Sequence, residues 1–202
     1  ELPEERQTLV MGAYGQEESF FTMKGSVENL LEVYGIKDVE WRPVTTHATY
    51  HPGRCAQVFQ GETCLGTVGE VHPKVVEAFG FEGKAYLAEL ELAWLIEKAD
   101  LDRKYNPLPK FPAMSRDLAV LVRDEVTNAQ MLEILRQNGG KILERVALFD
   151  VYKGKQIEVG HKSMAYALIY RASDRTLTDA EVSKVFEAQL AALVETVGAK
   201  LR

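Results

Sequence analysis

Hydrophobic and polar positions in the second half of the chain predict a β-α-β-β-α-β order of elements. Apolar residues that alternate with a period of two indicate strands, and apolar residues three or four positions apart indicate helices. The predicted strands span 117–122, 143–152, 164–170 and 199–202. Two capping-box patterns, which begin at Thr127 and Thr178, predict the starts of the two helices. Gly139-Gly140 and Gly198 are expected to end these helices.

This order predicts a ferredoxin-like βαββαβ domain, in which two helices cover one face of a four-stranded sheet. The other face of the sheet is then left open. Period-two alternation places Leu148, Asp150 and Tyr152 on the open face, and places Phe149 and Val151 against the helices. On the next strand, small side chains are expected to face outward, at Ser163, Ala165 and Ala167.

An outward Tyr beside small residues leaves room for a flat base to stack, and Asp150 and Ser163 are available to bond the edge of that base. Aromatic stacking of this kind is how many proteins hold single-stranded nucleic acid. The pattern therefore indicates a binding face for a nucleic acid. The alternative readings are structural: Tyr152 covering apolar surface at a strand end, and Asp150 capping the following hairpin turn.

The first half of the chain predicts an α+β scaffold with an antiparallel sheet. Ser26 is expected to cap a short helix that Gly35 ends, and Pro73 is expected to open a second helix at 74–79. Gly61-Glu62-Thr63 is expected to form a hairpin turn. The predicted strands are Ser19–Met23, Val39–Pro43, Ala56–Gln60, Cys64–Val71 and Tyr86–Leu92, with 90–98 continuing into a helical turn.

Pro107, Pro109 and Pro112 fall within a few residues and favour an extended linker. We therefore predict domains at 1–107 and 108–202. Their charges differ: residues 1–107 carry 10 Lys and Arg against 18 Asp and Glu, or −8, and residues 108–202 carry 14 against 12, or +2. A mildly basic second half predicts a local nucleic-acid footprint and not a long electrostatic groove.

Composition narrows the class of protein. No apolar run approaches the ~20 residues of a membrane helix, and no signal segment begins the chain. Cys55 and Cys64 are placed where they could face each other across a hairpin, but a reduced pair in a cytoplasmic protein is the better expectation. The histidines lack the paired spacing of a zinc site. The first residue is Glu1 and not Met, so we expect a processed protein or a piece of a longer one.

Ordered motifs across the chain resemble the phenylalanyl-tRNA synthetase beta-subunit family. In the second half these are Phe-Pro-x-x-x-Arg-Asp at 111–117, Phe-Asp-Val-Tyr-x-Gly at 149–154, Lys-Ser-x-Ala-Tyr at 162–166 and Arg-Thr-Leu-Thr-Asp at 175–179. Looser matches lie at 20–25, 51–54 and 69–73. The resemblance covers nearly the whole chain, and its specificity comes from the order of the motifs.

The resemblance implies that residues 108–202 form a ferredoxin-fold anticodon-binding domain for phenylalanine tRNA. It places the first anticodon base at Ala119, Asp150, Tyr152 and Ser163, with Tyr152 stacking and Asp150 accepting from the guanine edge. Phosphate contacts are expected from nearby basic residues, namely Lys153, Lys155, Lys162 and Arg175.

For residues 1–107 the resemblance implies part of a class II synthetase catalytic-like domain that has lost its chemistry. In agreement, Gly66-Thr67-Val68-Gly69-Glu70 has no following Arg to hold a nucleotide. We expect no catalytic residue, metal or cofactor here. ATP and Mg²⁺ are implied for the alpha subunit of an (αβ)₂ complex. Two alternatives remain: a small-molecule regulatory module of ferredoxin-like fold, since fold alone does not exclude it, and a pure assembly scaffold.

Overall fold

The structure is a computed structural model that describes residues 5–102, 105 and 107–202. It divides into two compact units, Glu1–Tyr105 and Asn106–Arg202. Each unit has its own antiparallel sheet and its own hydrophobic core. The predicted α+β class with antiparallel sheets is confirmed. Asn106, the first residue of the predicted linker, lies outside the described residues.

The first unit is a five-stranded sheet in the order β1-β5-β4-β3-β2. Its core lies between the sheet and two helices, where Met23, Val27 and Leu31 pack with Leu95 against the strands. The elements are β1 Thr8–Tyr14, α1 Phe20–Val33, β2 Val39–Pro43, β3 Tyr50–Gln60, β4 Thr63–Val71, α2 Pro73–Ala78, β5 Ala85–Glu91 and α3 Leu92–Lys98.

The predicted strand at Ser19–Met23 is wrong, because this segment is the first part of α1. Ser19 caps the helix and forms a capping box with Thr22. Ser26, predicted as the cap, lies inside the helix, where its hydroxyl donates to the Thr22 carbonyl at 3.1 Å. The buried spacing of Met23, Val27 and Leu31 outweighs the strand preference of the paired aromatic residues.

Two further details of the first unit differ from expectation. The strand predicted to begin at Ala56 begins at Tyr50, and its register is irregular between Tyr50 and Cys55. Cys55 and Cys64 do not face each other: Cys55 pairs with Gly69 and Cys64 with Phe59, and both thiols are free. The turn at residues 61–63 links β3 to β4 as predicted, with Gly61 at a φ of 57°.

The second unit has the strand order β7-β8-β6-β9, which is the ferredoxin-like arrangement that the sequence predicts. Both predicted capping boxes are present, at Thr127 and Thr178. The elements are β6 Met114–Arg123, α4 Asn128–Gln137, a 3-10 turn Gly140–Ile142, β7 Leu143–Tyr152, β8 His161–Tyr170, α5 Asp179–Val197 and β9 Lys200–Leu201.

The helices α4 and α5 pack on one face of this sheet and close its core. A buried polar chain joins three elements there: the Tyr170 hydroxyl donates to Gln189 Oε1 at 2.6 Å, and Gln189 Nε2 donates to the Leu135 carbonyl at 2.6 Å. Burial raises the pKa of Tyr170 to about 12. Tyr170 and Gln189, on the helix side of the sheet, are thus hydrogen-bonded within the second unit. Within the described ranges no helix is long and apolar enough to cross a membrane.

Candidate nucleic-acid interface

The open face is the side of the second sheet that points away from α4 and α5. Directly opposed residues of neighbouring strands share a face and lie about 4.5–5.5 Å apart at their Cβ atoms. The register builds two adjacent rows on it, Asp150–Ala165–Ala119 and Tyr152–Ser163–Leu121. The four residues predicted to form the base site, Ala119, Asp150, Tyr152 and Ser163, therefore lie together.

A β-bulge in β7 decides which of its side chains reach the open face. Leu148 pairs with Tyr166 and Asp150 with Ala165, so Phe149 is the extra residue. Leu148 packs against the helix-side core, so its predicted place on the open face is wrong. Phe149, predicted to meet the helices, is 60% exposed, and Val151, opposite the buried Met164, is 47% exposed. The outward positions of Asp150 and Tyr152 agree with the prediction.

Tyr152 is 38% exposed and ends β7. The backbone of Gly154 lies directly against its ring, since a Cβ on Gly154 would come within 2.1 Å of the Tyr152 hydroxyl. The guanidinium carbon of Arg202 lies 5.7 Å from the ring centroid. The ring thus lies between the backbone of Gly154 and the guanidinium of Arg202, in cation–π range of the latter.

Asp150 is exposed and, within the described ranges, its carboxylate makes no hydrogen bond or ion pair. The alternative role as a cap of the following turn therefore has no bond to support it. Its row continues with Ala165 and Ala119, whose methyl groups leave the surface beside the carboxylate low. A planar group lying on this row would find an acceptor at its edge.

Ser163 lies on the open face but is only 3% exposed. Its hydroxyl accepts a hydrogen bond from Arg202 Nη1 at 3.2 Å. The main-chain N–H of Arg202 donates to the Ala119 carbonyl at 3.0 Å. Arg202 thus touches three of the four predicted site residues.

Three of the four predicted phosphate contacts are already engaged within the second unit. Lys153 pairs with the Asp124 carboxylate at 2.8 Å, and Lys162 donates to the Asp124 carbonyl at 2.9 Å. Burial lowers the pKa of Lys162, and the charge of Lys153 lowers it further. Arg175 pairs with Glu181 at 2.5 Å.

The fourth, Lys155, is exposed and has no charged partner among the described residues. The Arg175 pair belongs to the start of α5. The Thr178 N–H and then the Arg175 guanidinium hold the pKa of Glu181 at about 2. Exposed pairs of this kind contribute little to stability, so a phosphate can replace the carboxylate at little cost.

Two carboxylates of the first sheet are hydrogen-bonded within the first unit. Glu70 is 4% exposed, accepts from Arg54 at 2.7 Å and from the Tyr86 hydroxyl at 3.2 Å. The Tyr50 hydroxyl donates to Glu89 at 2.5 Å. Across the described residues of both units, no group of three His, Cys, Asp or Glu is placed to hold a metal ion.

Two residues of the open face were not found by sequence reasoning, Gly154 and Arg202. Gly154 is the last residue of the Phe-Asp-Val-Tyr-x-Gly motif at 149–154. Its place two residues after Tyr152 is the signal that could have identified it. Arg202 is brought to Ala119 and Ser163 only because β9 pairs with β6, Leu201 opposite Val120. That pairing joins residues far apart in the sequence. The predicted strand at 199–202 does not by itself indicate which strand lies beside it.

Comparison with known proteins gives two family matches, one in each half of the chain. Residues 109–202 match the family described as the ferredoxin-fold anticodon binding domain. Residues 1–92 match the family described as the phenylalanyl tRNA synthetase beta chain CLM domain. The two matches leave only a short segment between them.

Curated relatives match along the whole chain. The phenylalanine–tRNA ligase beta subunit of Clostridium tetani is 47% identical over 201 residues, which is 100% of this chain and 25% of that protein. The corresponding subunit of Clostridium acetobutylicum is 43% identical over 202 residues, again 100% of this chain and 25% of that protein. The corresponding subunit of Symbiobacterium thermophilum is 43% identical over 183 residues, which is 91% of this chain and 20% of that protein. The chain spans about a quarter of the length of the two clostridial relatives.

Proposed function

Because this chain belongs to the phenylalanyl-tRNA synthetase beta-subunit family, we propose that the open face of its second unit binds the anticodon loop of phenylalanine tRNA. The observation that carries the proposal is the meeting of Ala119, Asp150, Tyr152 and Ser163 on two adjacent rows of that face. An aromatic ring, a carboxylate without a partner among the described residues and small neighbours supply what an unstacked base needs.

In the proposed complex the first anticodon base stacks on Tyr152. The Asp150 carboxylate accepts hydrogen bonds from the donor edge of guanine, because an ionised carboxylate offers acceptors only. Ala119 and Ala165 keep the floor of the site low, and Ser163 offers a hydroxyl at its side. Lys155 is the first candidate for a phosphate contact, since its ammonium has no ion pair among the described residues.

The proposal extends to the whole ligase. The first unit serves as a scaffold derived from a class II catalytic domain and contacts the alpha subunit in an (αβ)₂ complex. Phenylalanylation of tRNA, with ATP and Mg²⁺, takes place on the alpha subunit in the cytoplasm. Anticodon binding here adds discrimination among tRNAs. The description of the matched family favours this function over a small-molecule regulatory module.

The test is fluorescence anisotropy of a labelled phenylalanine-tRNA anticodon stem-loop with the 202-residue chain. Tyr152→Ala should weaken binding by about 1–3 kcal/mol because one base loses its stacking partner. Tyr152→Phe, the matched control, keeps the ring and should bind nearly as the parent does. If Tyr152→Ala binds the stem-loop as tightly as the parent, Tyr152 is not the residue on which the base stacks. Equal binding of an unrelated anticodon would reduce the interaction to electrostatics.

A further inference from the structure

We propose that Arg202 is an RNA-contacting residue that grips the phosphate of the nucleotide stacked on Tyr152. The inference rests on the proposed function, since it needs a nucleotide at Tyr152. It adds a cation to the base site that the resemblance to the family did not supply. It also gives the site two forms, one in which the guanidinium covers the ring and one in which it holds the ligand.

The backbone of Arg202 is fixed by strand pairing, and its guanidinium is held by one hydrogen bond and by the ring of Tyr152. Its main-chain N–H donates to the Ala119 carbonyl at 3.0 Å, next to the pairing of Leu201 with Val120. The side chain runs from there over the open face to Ser163 Oγ, 3.2 Å from Nη1, and to the ring of Tyr152. Rotation about its side-chain bonds alone can move the guanidinium.

The guanidinium carries unused binding capacity. It has five N–H donors and a permanent charge, and one of those donors is spent on a neutral hydroxyl. Among the described residues it meets no carboxylate. Three other arginines of the unit are paired with acids: Arg116 with Asp179, Arg171 with Glu144 and Arg123 with Glu125. A charge left without an acid beside an aromatic platform suits an anionic ligand.

A base that stacks on the ring face covered by the guanidinium requires Arg202 to move. Two groups in van der Waals contact lie about 3.5 Å apart, so a guanidinium above a stacked base would be about 7 Å from the ring. Its observed distance is 5.7 Å. The guanidinium therefore withdraws or swings aside by at least about 1 Å. Because its fork matches two phosphate oxygens, the backbone of the same nucleotide is the natural acceptor.

The experiment measures affinity for the anticodon stem-loop over a range of salt concentrations. Arg202→Ala should weaken binding about tenfold, since it removes a charge-assisted contact. It should also reduce the slope of log K against log salt by about 0.7, the value for one phosphate contact on a single strand. Lys184→Ala on α5 removes the same charge on the helix side and should leave the slope unchanged.

Two further variants separate charge from shape. Arg202→Lys should keep the salt slope and recover only part of the affinity, because an ammonium lacks the planar fork. Arg202→Gln retains an amide donor for Ser163 but no charge. It should therefore reduce the salt slope by the same amount as Arg202→Ala. A Gln variant with the parent slope would overturn the proposal. So would an Arg202→Ala variant that binds equally or more tightly, which would make Arg202 a cover only.

The outcomes distinguish this inference from the function beneath it. If Tyr152→Ala weakens binding and the Arg202 variants do not, the base site stands and the role of Arg202 falls. If Tyr152→Ala has no effect, the proposed function falls first. Thermal unfolding of each variant checks that a lost contact, and not a lost fold, explains the change.

Discussion

The two sheets of this protein differ in how their carboxylates are bonded. On the first, Glu70 is buried and holds both Arg54 and Tyr86, and Glu89 holds Tyr50. On the open face of the second, Asp150 has no partner in the described ranges, and Arg202 spends its charge on a hydroxyl and a ring. The number of polar groups does not separate a scaffold from a site. The proposed site differs from the scaffold in the hydrogen-bonding capacity that its charged side chains leave unused.

The largest effect on this comparison is expected from breaking the ion pair between Arg54 and Glu70 in the first sheet. Arg54→Ala leaves the Glu70 carboxylate buried with one hydroxyl donor, and should destabilise the first unit by about 2–3 kcal/mol. Both tryptophans, Trp41 and Trp94, lie in that unit, so their fluorescence during denaturation reports its unfolding. Binding of the anticodon stem-loop should not change.

A paired variant sharpens this result. Arg54→Ala with Glu70→Gln removes the stranded charge and keeps an acceptor for Tyr86, so part of the stability should return. If the single variant is as stable as the parent, the Arg54–Glu70 contact contributes nothing and the contrast between the sheets is lost.

A smaller effect is expected from Gly154. Gly154→Ala forces the ring of Tyr152 to move, because the new Cβ would meet its hydroxyl within 2.1 Å. Part of the stacking contribution should be lost, about 1 kcal/mol of binding free energy in the anisotropy assay. Folding should be little affected, since φ at Gly154 is outside the left-handed region.

Gly25→Ala is the matched control for that variant. Gly25 lies inside α1 with open space around it, so a methyl group there should stabilise the helix by about 0.5–1 kcal/mol. Its binding should equal that of the parent. Equal binding by Gly154→Ala as well would show that Tyr152 does not need its observed position.

The smallest effect concerns acid. The pKa of Glu181 is lowered from its ordinary 4.5 to about 2 in the folded protein, so its contribution to stability is complete above 4.5 and is lost as pH falls toward 2. Glu181→Gln should flatten this part of the pH dependence. Hydrogen exchange of α5 amides between pH 2.5 and 6 measures it. An unchanged dependence in the variant would assign the acid sensitivity to other carboxylates.

Local signals in the sequence predicted most of the second unit and less of the first. The boxes at Thr127 and Thr178 have Gln or Glu three residues on, the usual pattern, and their helices were found. The box at Ser19 has Thr22 in that place, and the sequence pattern predicts a strand over the first part of α1. Thr8–Tyr14 was not predicted as a strand; Gly12 interrupts its pattern.

The site shows the same limit. Asp150, Tyr152, Ser163 and Ala119 could be placed from alternation and from resemblance, because each lies in a regular strand segment. Leu148 and Phe149 could not, because one inserted residue breaks the alternation between them. Arg202 depends on a pairing between β9 and β6, which no nearby residue encodes.

The bulge at Phe149 has a consequence for how the length of this strand can vary. Removing a residue from a regular strand turns every later side chain over to the opposite face. Removing Phe149 would not, since the register already passes from Leu148–Tyr166 to Asp150–Ala165 without it. A chain without this residue would therefore keep both the core before it and the open face after it. What changes is the local twist that the bulge adds, and with it the direction in which Asp150 and Tyr152 are aimed.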